Sequence, residues 1–155
     1  MNAEDSAHEP PEHARFAAHL AELEQVTEAD ESGRVAEVLA DPDPVMAGAA
    51  VVRHLDRRAE ELWPTPGWEQ WAEAMARVVG DRPFPARRLR EWALFRAVAL
   101  GLPWDQDDLL ASSDWLQLRT ASGRSPEALH VLAERGRTKR IRGTARAGLT
   151  RPNPA

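Results

Sequence analysis

Apolar residues return every three or four positions along most of this chain, and nowhere do they alternate strictly with polar ones over a strand's length. That period buries one face of a helix, whereas a half-buried strand needs a period of two. The clearest stripe is Val45, Ala49, Val52, Leu55, Ala59 and Leu62, with Arg53, Asp56, Arg57, Glu60 and Glu61 on the other side. Phe16, Leu20, Leu23 and Val26 predict a helix over residues 12 to 29. Trp68, Trp71, Ala72, Met75 and Val79 predict another, ended by Gly80. Residues 86 to 100 read as a helix covered on most sides, since Arg96 alone interrupts Ala93 to Leu100. Hairpin signals such as Asn-Gly or Asp-Gly are missing. The expected fold class is all-α, a compact multi-helix domain of antiparallel helix pairs.

Start signals agree with the periodicity. Asp43 before Pro44, Thr65 before Pro66, Asp105, Ser113, and Ser125 before Pro126 stand where N-caps belong, and Ser32 suits a short helix through Leu39. Residues 81 to 85, DRPFP, read as a linker. Gly136 stops the helix that begins after Ser125, and Arg137 to Leu149 form the last one. A chain of 155 residues fits one domain. We expect it over residues 12 to 150, between a disordered lead at 1 to 11 and a disordered tail at 151 to 155.

Composition narrows the chemistry. Without cysteine there is no disulfide, no thiolate nucleophile and no Cys-ligated metal. The acidic N-terminus lacks the apolar stretch of a secretory signal, and the apolar run from Val45 to Val52 falls far short of the roughly 18 residues that suggest a membrane helix. A cytoplasmic location is the resulting expectation. Lysine occurs once against 19 arginines, isoleucine once, tyrosine never. This is the bias of a GC-rich, bacterial type of genome, so arginine richness alone does not signal nucleic acid.

No nucleophile elbow, P-loop or dinucleotide fingerprint occurs. The five histidines lack metal-ligand spacing, and His54 and His130 fall on outward or boundary helix positions. Asp105, Asp107 and Asp108 suit the first turn of a helix better than a calcium loop, which needs a glycine where Leu109 and Leu110 stand. Glu60 and Glu61 sit among arginines on a solvated face. No catalytic residue, cofactor or metal is therefore expected, and the chain reads as no enzyme. Trp68, Trp71 and Trp92 fit core positions, while Trp63 and Trp104 lie at helix junctions beside prolines, where a ring is more open to solvent.

Charge is distributed unevenly. Residues 1 to 44 carry twelve acids and two bases, and residues 135 to 151 carry seven bases and no acid. In the last predicted helix Lys139, Arg142 and Arg146 share one face, while Ile141, Ala145 and Leu149 mark the packing face. Three readings of this stripe stay open: a solvated helix, or one paired with Glu22, Glu24, Glu28 and Glu31 of the same chain; a face for an acidic partner protein; or phosphate contacts along a nucleic acid. The leading expectation is a noncatalytic protein-protein interaction module, an adaptor, regulator or immunity-type partner, that binds through Lys139, Arg142, Arg146, Arg135 and Trp104. The alternative is a nucleic-acid-associated protein with Trp104 or Trp115 as stacking groups, against which the net charge of -5 argues. A membrane partner is not expected.

Ser32, Val38, Leu39 and Ala40 are matched in spacing by Ser125, Val131, Leu132 and Ala133, each set followed by a turn and a second helix. Ile141-Arg142-Gly143-Thr144-Ala145 with Leu149, and less closely Asp43-Pro44-Val45 with Ala49, resemble the second helix of HEAT-like repeats. Met46 departs from that pattern, which expects arginine, and the middle of the chain keeps no such period. Over about a third of the chain, the resemblance implies stacked helix pairs, a short HEAT-like solenoid, and a binding surface rather than an activity.

Overall fold

The computed structural model describes residues 11 to 152, so most of the expected lead and the end of the expected tail lie outside the described residues. Among the described residues the chain forms nine helices and no strand. They are α1 (Pro11–Glu24), α2 (Glu31–Leu39), α3 (Pro44–Leu62), α4 (Trp68–Val79), α5 (Pro83–Leu100), α6 (Gln106–Ala111), α7 (Asp114–Ala121), α8 (Pro126–Arg135) and α9 (Lys139–Leu149). Contacts divide the chain into two compact units, the first reaching Leu89 and the second beginning at Arg90, within α5. No helix of the described residues is long and apolar enough to cross a membrane.

In the first unit α3 packs against α1 and α2, and α2 against α4. Trp68, Trp71, Met75 and Val79 are the buried stripe of α4, and the rings of Trp68 and Trp71 lie 5.4 Å apart. Burying a large apolar side chain contributes about 1.5 to 3 kcal/mol, so such a stripe holds α4 far more firmly than helix propensity does. On α3 the buried residues are Ala47, Gly48, Ala50, Val51, His54, Leu55 and Ala59. That stripe is rotated by about one residue from the expected one: Val45 and Ala49 face solvent, and His54 faces inward.

The local chemistry of the starts also differs in places. Asp43 caps α3 as expected, its carboxylate accepting from the Val45 and Met46 amides at 3.1 Å each. Ser32 does not cap α2. Asp30 holds that position, with its carboxylate turned back onto the Thr27 amide at 2.6 Å to close the preceding turn. Thr65 does not cap α4 either; its hydroxyl donates to the Leu62 carbonyl at 2.9 Å and accepts from the Gly67 amide, so it shapes the turn after α3. The expected linker opens α5, because Pro83 and Pro85 occupy the first turn, where amides have no partner inside the helix. In the second half of α5 Trp92 and Val98 are buried but Ala93, Ala99 and Leu100 are exposed, so the helix is not covered on most sides.

In the second unit α9 packs on α7 and α8, and α8 on α6 and α7. Leu109, Leu129, Leu132, Ile141 and Ala145 are central to its apolar core, against which Leu149 and Trp104 pack while half-buried. Asp105, Ser113 and Ser125 cap α6, α7 and α8 as their sequence positions predict. Gly136 ends α8 without a left-handed turn. Its glycine is required by space, since a Cβ there would stand 2.6 Å from the Leu132 carbonyl oxygen and 2.7 Å from Ile141 Cγ2.

Candidate functional site

Each unit carries a cluster of charged side chains that could serve as a site. In the first, the buried Glu31 carboxylate accepts from His54 Nε2 at 2.6 Å, Trp71 Nε1 at 3.0 Å, and Arg58 through Nε at 3.0 Å and Nη2 at 3.2 Å. Arg57 donates to the Leu23 carbonyl at 2.8 Å and lies 3.3 Å from His54 Nδ1. A guanidinium can only donate, so Nδ1 accepts and the ring proton sits on Nε2, pointing at Glu31. One carboxylate thereby joins α2 to α3 and α4, and Arg57 extends the tie to the end of α1. Burial opposes ionisation of Glu31, but the hydrogen bonds from His54, Arg58 and Trp71 and the Arg58 charge outweigh it and hold the carboxyl at about 2.

A carboxylate beside an imidazole is also the beginning of a general base, but the free ring nitrogen must then face a nucleophile or substrate. Here it faces Arg57, and the His54 side chain is 0% exposed. The adjoining cleft, bounded by Arg58, Trp71 and Met75, holds about 180 Å3, below the usual range for a small-molecule site. The arrangement ties helices together. Both Glu31 oxygens are engaged within the first unit.

In the second unit, α9 presents such a cluster. Lys139, Arg140 and Arg146 are exposed on one side, and Ile141 and Ala145 are buried on the other. Arg135 is exposed in the last turn of α8, where a cation complements the helix dipole. The side chains of Lys139, Arg140, Arg146 and Arg135 make no ion pair or hydrogen bond among the described residues. Arg142 differs: it is half-buried and its Nη1 donates to the Gly136 carbonyl at 2.8 Å. Arg137 lies before the helix, which Thr138 caps by accepting from the Ile141 amide at 3.1 Å. Its guanidinium clamps the Ser112 carbonyl at 2.6 Å, the Leu110 carbonyl at 3.1 Å and Asp114 at 2.7 Å.

The face therefore gathers Lys139 and Arg146, leaves Arg142 at its edge, and adds Arg140 on the far flank, which sequence reasoning missed because attention to spacings of three and four skips an adjacent residue. Trp104 is half-buried against the apolar core of its unit rather than standing beside this face as a free ring. Trp115 is also half-buried, its ring 5.4 Å from that of Trp92 in edge-on contact. No protein-family model, no curated protein and no solved structure matches the chain.

Proposed function

We propose that this chain is a noncatalytic helical interaction module, an adaptor, regulator or immunity-type partner, whose α9 binds an acidic surface on another protein. The observation that carries the reading is the division of α9: its apolar side packs into the unit's core, while the side chains of Lys139, Arg140 and Arg146 make no ion pair or hydrogen bond among the described residues. Unpaired, solvated cations on a fixed helix speed encounter with a complementary partner and set its orientation. The packed pairs α2 with α3 and α8 with α9 agree with the HEAT-like reading of the sequence, in which helix pairs display a binding surface. Phosphate contacts are the rival use of the same cations, but Trp104 and Trp115 are engaged in packing, which weakens the stacking half of that alternative.

The test compares wild type with K139E/R140E/R146E in low-salt pull-downs from extract before and after nuclease treatment, followed by identification of the captured species. The expected result is an acidic protein retained by the wild type and lost from the variant, with both melting at the same temperature. Retention of that protein by the variant, or capture of nucleic acid alone before nuclease treatment, would refute the reading.

A further inference from the structure

A cleft of about 380 Å3 opens in the second unit beside the C-terminal end of α9. Three segments supply polar side chains to it: the guanidiniums of Arg124, from the turn between α7 and α8, and of Arg151, from just past α9, and the imidazole of His130 from α8. All three are exposed, and none of their side chains has an ion pair or hydrogen bond among the described residues. Among the described residues no carboxylate lines the cleft; its other walls are apolar, chiefly Pro126, Leu129 and Leu149.

Convergent cations with no counter-charge repel one another, and an anion relieves that repulsion. Of the nearby helix ends, the start of α8 favours an anion and the C-terminal ends of α7 and α9 disfavour one, so the two guanidiniums supply the main attraction. The start of α8 contributes the positive end of its dipole, and at the end of α9 the exposed carbonyls are partly covered, by Thr150 Oγ1 on Ala147 at 3.0 Å and the Arg151 amide on Gly148 at 3.4 Å. Glu127, in the first turn of α8, is exposed and outside the lining. The volume exceeds what a bare inorganic anion needs and falls in the range of small organic ligands.

We propose that this cleft binds a small organic phosphate, a phosphate monoester on an apolar body, with Arg124, Arg151 and His130 around the phosphate and Leu129 and Leu149 against the body. Two guanidiniums offer forked donors to phosphate oxygens, and the apolar walls select against the bare ion. This inference does not rest on the proposed role of α9.

The test is an NMR titration of the full chain with phenyl phosphate, inorganic phosphate and benzyl alcohol, read at the His130 ring and the Leu129 and Leu149 methyls. Phenyl phosphate should give saturable shifts at all three residues, bind about tenfold or more tightly than inorganic phosphate, and be lost in R124Q/R151Q while that variant keeps the wild-type melting temperature. The variant should fold, because neither side chain holds the structure together; His130→Gln, expected to weaken binding without abolishing it, gives an independent check. Absence of saturation by phenyl phosphate, equal affinity for inorganic phosphate, or binding that survives R124Q/R151Q would each overturn the proposal. So would loss of binding in K139E/R140E/R146E alone, which would place the anion on the α9 face.

Discussion

Up to Leu89 a buried carboxylate, Glu31, stands where three helices meet, whereas beyond Arg90 a buried neutral amide, Gln117, ties α6 and α7 to Arg137, just before α9. In the first unit Glu31 takes hydrogen bonds from His54, Arg58 and Trp71, so that a single ionised group serves three helices. In the second, Gln117, fully buried, donates to the Leu109 and Leu110 carbonyls at 3.2 and 3.0 Å and accepts from the Arg137 amide at 3.0 Å. Both devices satisfy polar groups that the packing would otherwise strand. They differ in their response to change: a buried carboxylate depends on pH and on each of its partners, while an amide network has no charge to lose. The second unit keeps a buried acid too, Glu91 of α5, which receives the Ser113 hydroxyl at 2.6 Å and so ties α5 to the start of α7.

The largest expected effect is in the hydrocarbon core. Trp92 is 1% exposed and touches Phe95 and Trp115, so Trp92→Ala should cost about 3 to 5 kcal/mol, read from the urea midpoint. Glu31→Gln should follow closely, at about 3 kcal/mol near neutral pH, because it removes the ionised acceptor shared by His54, Arg58 and Trp71. Gln117→Leu should cost about 1 to 3 kcal/mol by leaving buried backbone groups unpaired, with a loss that is the same at acid and neutral pH. Thr138→Ala, which removes the α9 cap, should cost about 1 kcal/mol in thermal unfolding. The smallest effect is expected for K139E/R140E/R146E, whose melting temperature should stay at the wild-type value because these exposed side chains make no ion pair or hydrogen bond among the described residues.

The same contrast governs how much was legible in the sequence. The helical class followed from periodicity, and Asp43, Asp105, Ser113 and Ser125 were readable as caps because a short polar side chain beside a helix start has little else to do. Trp68, Trp71 and Trp92 were readable as core from spacing. His54 was not, because α3 has Ala47, Ala50 and Val51 on one side and Val45, Ala49 and Val52 on the next, and a period count favours either over a histidine. What turns the helix is Glu31, 23 residues earlier in sequence, and a tertiary hydrogen bond leaves no local signal. Arg137 was likewise read as one more helical cation; its carbonyl partners Leu110 and Ser112 carry no side-chain mark of that role. The α9 cations were legible because amphipathic spacing alone puts them opposite Ile141 and Ala145. The cleft at Arg124, His130 and Arg151 was not, since it joins three segments that only packing brings together.

The contrast between a charged and a neutral junction is tested most directly by residue-resolved amide hydrogen exchange, corrected for intrinsic rates, at about pH 6.5 and about pH 3. Because the folded Glu31 carboxyl titrates at about 2, below its ordinary value of 4.5, its stabilising contribution is fully present above the ordinary value and is lost as pH falls toward the folded one. Acidification should therefore lower protection more at Val51 and Leu55 of α3 than at Leu129 and Leu132 of α8, and Glu31→Gln should remove most of that difference. Equal loss of protection in α3 and α8, or a difference that persists in Glu31→Gln, would contradict the account.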